Sequence, residues 1–376
     1  MSTKKTVVLV GNGFVKSIQQ ALGNDAELAQ QIADVASLWG EFRSIFHSLD
    51  ASGNSLLSRL QAASPETALE AVQSIVAYVA NLMPLRDDID AALSGREWIP
   101  CGVSCLESFQ LVVQLCVQNV VHKFIQAETD GFYTHLMNAS DQAQALAGIQ
   151  QFVERDTQDI ALFTTNYDGM CDQIMAYAGG RYLLNDGFGG PPSLQVPEGV
   201  LFDEVHAPSR LHTWGIRGHL HGSYKYARIH QHGVNPWDCV KLSDAGCAAA
   251  LSNSLVYEPI VILDAPNNKL RAIRSFSVLS QYWEALSDRL LQAERILVWG
   301  MSFENDQHIG ELVRSSVAGR DKELVVIDLC PDMIRDRIRW EGGHYRPIMP
   351  DSSQTGMSYV LEVMQEAMPD AVASLS

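Results

Sequence analysis

The chain has 376 residues, 47% of them hydrophobic, which is long enough for one large domain or two with a substantial core. Its 27 Lys and Arg residues stand against 44 Asp and Glu residues, and the resulting formal charge of −17 argues against direct binding to a nucleic-acid phosphate backbone. Seven cysteines at irregular spacings, with no Cys-x-x-Cys pair, argue against a disulfide framework and against a structural zinc ribbon.

The chain opens with an apolar run at residues 6–10, which predicts a buried first strand. The following Gly11-Asn12-Gly13-Phe14 predicts a tight turn into a helix near 15–22, whose first N–H groups would face a ligand. The apolar run is too short for the core of a signal peptide, and no segment approaches the roughly 18 apolar residues of a membrane span. We therefore expect a cytoplasmic protein with no membrane segment.

The next region, residues 24–155, has the apolar spacing of helices. Apolar residues recur at intervals of three and four from Leu28 to Leu49, and Ser64-Pro65 is typical of a helix start. Further helices are predicted over 106–125 and after Ser140. The pattern predicts a large all-helical insertion over 24–155, with a sheet domain made of residues 1–23 and 156–376.

The rest of the chain alternates strands with helices. Such alternation favours a doubly wound parallel sheet in an α/β fold. The glycine-rich and proline-rich stretch at 179–197 predicts a long surface loop, and residues 224–254 have no regular pattern. The predicted strands lie at 159–165, 211–220, 296–299 and 324–327, and the predicted helices at 276–292, 305–318 and 354–367.

Several predicted strands end in small or polar residues, which matters because open parallel sheets bind ligands beyond the carboxyl ends of their strands. The first strand ends in the glycine turn and the second is followed by Asn166 and Asp168. A later strand precedes Gly300 and Ser302, and the last ends at Asp328. Each signal has a structural alternative: Gly-x-Gly is common in plain turns, Asn166 is typical of an Asx-turn, and Asp328 is typical of a helix cap or a turn.

Two groups of histidines need separate consideration. Four of them, His206, His212, His230 and His232, lack carboxylate or thiolate companions at metal-binding spacings, so a metal site there has little support. His219 and His221 lie two residues apart and would share one side of an extended segment. His221 directly precedes Gly222, where backbone can approach a ligand closely.

Five motifs occur in an order that resembles the sirtuin-like fold and, more closely, the sirtuin-like NAD hydrolases of bacterial antiphage defence. They are Gly11-Asn12-Gly13, Thr164-Thr165-Asn166-Tyr167-Asp168, His221-Gly222-Ser223, Gly300-Met301-Ser302-Phe303 and Val326-Ile327-Asp328. The resemblance implies a Rossmann-like doubly wound parallel sheet, here carrying the helical insertion. Phe14 departs from the small residue usual in the first motif, and the zinc-binding cysteine quartet of protein deacylases is missing, which weakens a deacylase reading.

The activity implied by the resemblance is hydrolysis of the nicotinamide–ribose bond of NAD+, which gives nicotinamide and ADP-ribose and depletes NAD during antiphage defence. The family motif implies that His221 takes a proton from a ribose hydroxyl or from the attacking water. Asn166 would orient that water or the ribose, and Asp168 would contact the substrate or hold the loop. His221 is favoured over His219 because it directly precedes the glycine.

The same resemblance implies the residues that bind the dinucleotide. The turn residues Gly11, Asn12 and Gly13 would approach the diphosphate, Gly300 and Ser302 the adenosine side, and Asp328 the adenine ribose. Phe14 and Thr165 complete the predicted NAD-binding set. NAD is the substrate, and neither a further cofactor nor a metal is expected.

Two other functions remain open from the sequence. A non-catalytic sensor subunit would hold NAD or ADP-ribose through the same contacts without turnover. A subunit of a larger assembly would use apolar faces of the helical block, such as those with Trp39, Phe42 and Phe46, although such stripes are more typical of an internal core. The resemblance also implies a homo-oligomer and a partner ATPase of the DNA-translocase type.

Overall fold

The computed structural model describes residues 4–14, 140–156, 159–178, 181–188, 202–205, 211–229, 239–242, 257–262, 266–350 and 357–369. The helix predicted near 15–22 and residues 24–139 of the predicted helical insertion lie outside these ranges, as do His206, His230 and His232. The predicted division into a sheet domain and an insertion therefore stays a prediction.

The described residues form strands β1 (Thr6–Val10), β2 (Ile160–Thr164), β3 (Tyr177–Ala178), β4 (Arg181–Tyr182), β5 (Phe202–Val205), β6 (Ile216–His219), β7 (Gly222–Ile229), β8 (Cys239–Leu242), β9 (Tyr257–Val261), β10 (Arg295–Trp299), β11 (Glu323–Ile327) and β12 (His344–Ile348). The helices are α1 (Ser140–Asp156), α2 (Met170–Met175), α3 (Pro266–Ser275), α4 (Ser277–Gln292), α5 (Gln307–Val317), α6 (Pro331–Ile338) and α7 (Met357–Ala367).

Six of the strands form one parallel sheet in the order β12-β11-β10-β1-β2-β6. Every residue of β1, β2 and β10 is buried, as expected for strands covered by helices on both faces. Read from β6, the order is the 3-2-1-4-5-6 arrangement of doubly wound dinucleotide-binding folds. The predicted α/β class and Rossmann-like parallel sheet are therefore confirmed.

Helices cover both faces of this sheet, and the alternation of side chains along β1 divides the core between them. Val8 and Val10 belong to one apolar cluster, to which α1 and α7 contribute Ile149 and Val360 among others. Val7 belongs to the opposite cluster, which contains apolar residues of α4, α5 and α6. The part of the predicted insertion within α1 thus packs directly on the sheet.

A second, antiparallel sheet has the order β5-β8-β7-β9 and joins the parallel sheet at β6. Only Leu220 and His221 separate the end of β6 from the start of β7. The prediction of irregular structure at 224–254 was wrong where the structure describes it, since β7 and β8 lie there. Their pairing is long-range in sequence, and their polar residues give no clear alternation for a sequence pattern to detect.

The other differences lie in short elements. The strand predicted at 211–220 is confined to Ile216–His219. Several further short elements were not predicted from the sequence, namely the helices α2, α3 and α6 and the strands β3, β4, β5, β9 and β12. Part of the loop predicted to lie at the surface is instead buried, with Leu184, Asp186 and Phe188 at most 5% exposed. Tertiary contacts bury these residues, and local composition does not report such contacts.

The described part of the chain contains no helix that is both long and apolar enough to cross a lipid bilayer.

Candidate functional site

Asn166 and His221 lie at the ends of neighbouring strands. Thr164 and His219 are paired in the parallel β2–β6 ladder, and each candidate residue lies two positions beyond its strand's member of that pair. Asn166 also donates a hydrogen bond from Nδ2 to the carbonyl oxygen of Gly11, at 3.3 Å. The carboxyl ends of β1, β2 and β6 therefore bring together the glycine turn, the amide and the imidazole.

The turn after β1 packs against the turn after β10 through bare backbone. The N–H of Gly13 donates to the carbonyl of Gly300 at 2.8 Å, and a Cβ on Gly13 would lie 2.5 Å from the Cα of Gly300. Gly300 itself has a φ of +61°. These glycines thus have a packing role that is independent of any ligand. Their turns flank the point where the strand order reverses, the usual position of a dinucleotide.

The Asn166 side chain is 3% exposed and has a fixed orientation. Only its NH₂ group can donate to the Gly11 carbonyl, so its Oδ1 faces the other way. That oxygen is buried and has no hydrogen-bond partner among the described residues. A buried amide oxygen without a partner costs about 1–3 kcal/mol, and such atoms are uncommon outside sites that receive a ligand or water.

His219 is not available for proton transfer, because both of its ring nitrogens are engaged. Nδ1 lies 2.9 Å from the carbonyl oxygen of Asn166, and Nε2 lies 3.2 Å from Oδ2 of Asp172. Burial disfavours the charged ring, but the Asp172 carboxylate outweighs it and raises the pKa of His219. The ring therefore holds the Asn166 backbone in place, which positions the Asn166 side chain in the site.

His221 differs in that its Nε2 atom is buried and has no hydrogen-bond partner within the described residues. The residue is 2% exposed, and burial lowers the pKa of His221 to about 3 despite the nearby Asp306 carboxylate. The ring is neutral at physiological pH and has a lone pair to accept a proton. A base of low pKa is weak, so Asp306 matters because its negative charge stabilises the imidazolium once it forms.

Three residues around His221 were missed by the sequence analysis. Oδ1 of Asp306 lies 3.3 Å from Nε2 of His221 and 3.0 Å from Nζ of Lys269. Burial opposes ionisation of Asp306, but the ammonium group of Lys269 holds the pKa of that carboxyl below its usual value. His308 lies with its ring centroid 5.8 Å from that of His221 and stacks on Trp283 at 5.5 Å.

Two of these three residues had a signal in the sequence. Asp306 and His308 belong to the polar run that follows β10, at the same sheet edge as the predicted site, and could have been selected on that ground. Lys269 lies in α3, which was not predicted, and only the tertiary fold brings it to Asp306.

The two predicted carboxylates each hold a turn. Oδ1 of Asp168 accepts a hydrogen bond from the N–H of Met170 at 2.9 Å, at the start of α2, and burial raises the pKa of Asp168. This geometry agrees with the loop-holding role among its two predicted roles. Oδ1 of Asp328 accepts from the N–H of Cys330 at 3.0 Å, in the turn before α6, which agrees with the turn alternative for this residue.

The remaining predicted residues lie at the same edge with different exposures. Ser302 is exposed, and its hydroxyl accepts from the N–H of Glu304 at 3.3 Å. Asn12 is exposed, and Thr165 is half-buried with its N–H donated to the Val10 carbonyl. Phe14 is completely buried and packs edge-on against Trp299, so its side chain belongs to the core and only its backbone faces the turn.

A buried ionic network lies beneath the β2–β6 edge. Arg217 of β6 pairs with Asp172 of α2 and with Asp186, and Lys241 of β8 contacts Asp186 as well. Burial opposes ionisation of the two aspartates, but Arg217 outweighs it and lowers the pKa of both. Because Asp172 also binds His219, this network fixes the strand end that carries the candidate site.

A comparison of the sequence with protein-family models and with curated proteins gives no match. The assignment of a function therefore depends on the motifs and on the geometry of this sheet edge.

Proposed function

We propose that the protein is an NAD+ hydrolase that cleaves the nicotinamide–ribose bond and releases nicotinamide and ADP-ribose. The observation that carries the proposal is the pair of buried atoms without hydrogen-bond partners, Oδ1 of Asn166 and Nε2 of His221, at adjacent strand ends of a Rossmann-like sheet. The strand order supports a dinucleotide as the ligand, because its reversal lies between β1 and β10. The order of the sequence motifs supports the sirtuin-like class.

The two side chains suit the chemistry of this bond. The nicotinamide leaves as a neutral group from a cationic ring, so the reaction needs a positioned nucleophile and stabilisation of an oxocarbenium-like ribose rather than a strong acid. The Asn166 oxygen, held by the Gly11 contact, would accept a hydrogen bond from the attacking water or from a ribose hydroxyl. Neutral His221 would take the proton that the water or hydroxyl loses, with Asp306 stabilising the cation that results.

The wider role that we propose is NAD depletion in antiphage defence by a homo-oligomer, with an ATPase of the DNA-translocase type as a partner. It is supported only by the resemblance of the motifs to defence hydrolases. The sensor alternative uses the same binding geometry and differs from the hydrolase in turnover alone.

The test is nicotinamide release from NAD+ by the purified protein. We expect His221→Ala and Asn166→Ala each to slow release by about 10²–10⁴-fold, the range typical of a lost proton-transfer group. The matched control is His344→Ala, since His344 is exposed on β12, far along the sheet from β6. Unchanged melting temperatures show that the variants are folded.

Two outcomes would contradict the assignment. Turnover by His221→Ala at the wild-type rate would remove His221 from the mechanism. Tight NAD+ binding by the wild type without nicotinamide release would favour the sensor.

A further inference from the structure

Three potential metal ligands, one of which is the proposed catalytic histidine, converge at one place. One ligand atom from each of His221, Asp306 and His308 lies within 4.8 Å of the other two. They come from separate parts of the fold: His221 from the β6–β7 junction, Asp306 from the residue before α5, and His308 from the first turn of that helix. The cluster is therefore a product of the tertiary fold rather than of a local motif.

The spacing of two of these ligands already suits a shared ion. Nε2 of His221 and Oδ1 of Asp306 are 3.3 Å apart, yet they are not aligned as a hydrogen bond. In a tetrahedral site with bonds of about 2.0–2.2 Å, two ligand atoms lie roughly 3.3–3.5 Å from each other. The two atoms thus have the separation of ligands that point at a common centre instead of at each other.

The third ligand is available because the ring nitrogens of His308 have no hydrogen-bond partners among the described residues, although both are buried. Buried polar atoms are normally paired, and a group of three imidazole nitrogens without partners in one place requires an explanation. A neutral imidazole offers a lone pair that suits a borderline divalent metal such as Zn²⁺. Contact with Trp283 fixes the ring of His308 next to His221.

Lys269 limits how tightly a metal can bind. Its ammonium group lies 3.0 Å from Oδ1 of Asp306 and offsets the only negative charge among the three ligands. An incoming dication must overcome repulsion from this group, which lowers the affinity. The arrangement therefore suits a reversible, regulatory ion better than a resident cofactor.

We propose that His221, Asp306 and His308 form a regulatory site for a divalent transition metal of the Zn²⁺ type, and that the bound metal occupies the lone pair of His221 and stops NAD cleavage. The binding part stands on the cluster alone, whereas the inhibitory part rests on the proposed function. Because the metal and the proton compete for one nitrogen atom, metal-bound protein cannot use His221 as a base.

Metal binding is tested first, without NAD, on the full chain. Co²⁺ serves as a coloured substitute for Zn²⁺, since a site of nitrogen and oxygen ligands gives visible bands without the near-ultraviolet charge-transfer band of a thiolate site. We expect His308→Phe, which keeps a ring against Trp283, to weaken binding at least tenfold. Asp306→Asn is a second variant of nearly the same shape with the same expected loss.

Two further variants make the metal-binding measurement more specific. Lys269→Met should bind the metal more tightly than the wild type, because the competing ammonium is gone. His344→Ala, which removes an exposed imidazole elsewhere, should bind like the wild type. Equal affinity of the wild type and His308→Phe, or a thiolate band in the wild-type spectrum, would overturn the site.

Inhibition is then measured as the ratio of nicotinamide release with and without Zn²⁺ within each protein. We expect Zn²⁺ to inhibit the wild type strongly. In His308→Phe, the Zn²⁺ concentration needed for the same inhibition should be at least tenfold higher. Inhibition that persists unchanged in that variant would overturn the regulatory role. If the wild type releases no nicotinamide at all, the proposed function fails while the metal-binding result stands separately.

Discussion

At the scale of single residues, there is a structural reason why glycine follows His221, and the sequence motif does not reveal it. Gly222 has a φ of +84°, and a Cβ at this position would lie 2.0 Å from the carbonyl oxygen of Ile260 in β9. The close backbone approach that we expected for a ligand is therefore an approach to the neighbouring strand. It fixes the junction from which the His221 ring extends.

This constraint makes Gly222→Ala strongly destabilising. Positive φ costs a non-glycine residue about 1–2 kcal/mol, and moving β9 away adds a packing cost of about 1–3 kcal/mol. We expect the free energy of unfolding, measured by chemical denaturation, to fall by more than about 2 kcal/mol.

The control is Gly319→Ala, where φ is +71° but nothing lies within 4 Å of the new Cβ. It should cost only the backbone strain of about 1–2 kcal/mol, without the packing cost. Equal losses in the two variants would mean that the clash with Ile260 does not exist.

At the scale of elements, α1 shows that the end of the predicted insertion packs on the sheet. Ile149 and Val153 are buried in the same cluster as Val8 of β1 and Val360 of α7. The helix occupies the place of the crossover that a doubly wound fold needs between its first two strands.

Ile149→Ala should therefore lower the stability of the sheet itself. Removing a fully buried isoleucine side chain costs about 2–5 kcal/mol. The measurement is the midpoint of unfolding followed by tryptophan fluorescence, which reports on Trp299 in β10 among others. Ala147→Ser changes an exposed position of the same helix and should have little effect. A loss below about 1 kcal/mol for Ile149→Ala would show that α1 unfolds apart from the sheet.

At the scale of the whole molecule, the Arg217 network joins the parallel sheet to the antiparallel sheet. Arg217 lies in β6 and Lys241 in β8, and both contact Asp186 between them. Asp172 and Asp186 have pKa values below that of an unfolded aspartate, because Arg217 outweighs the cost of burial. Their contribution to stability is present above about pH 4, the unfolded value, and is lost as the pH falls through their folded values.

Arg217→Met should reverse the way in which the stability contributed by these two aspartates depends on pH. Without the guanidinium, two buried carboxylates lose their main partner, and the protein should lose about 3–5 kcal/mol of stability at pH 7. Burial would then raise both pKa values above the unfolded value, so protonation favours the folded variant. The difference from the wild type should therefore shrink as the pH is lowered from 7 towards 4.

Thermal unfolding across this pH range checks the prediction. Arg271→Met, a change at an exposed position of α3, should run parallel to the wild type. If the stability difference between Arg217→Met and the wild type stayed constant with pH, the role of the two carboxylates would be contradicted.

Long apolar runs made the parallel sheet predictable. The strands β1, β2, β10 and β11 were identified because a strand buried on both faces is a continuous apolar segment with abrupt ends. The carboxyl ends of β1 and β2 located the glycine turn and Asn166 at one edge, since strand direction decides where those ends lie. His221 was selected from its motif instead, because it directly precedes Gly222. The strands β7, β8 and β12 were not predicted, because they contain polar residues and pair with strands that are distant in the sequence.

What the sequence by itself determined was therefore the class of fold and the part of the site that follows strand ends, because burial leaves a local apolar pattern. Only the tertiary structure showed how the ring nitrogens of the two histidines are engaged. His219 is engaged by Asp172 and by the Asn166 backbone, whereas Nε2 of His221 has no hydrogen-bond partner among the described residues. The tertiary structure also brings Lys269, Asp306 and His308 close to His221. Contacts between residues far apart in the chain depend on packing, and local sequence does not encode them.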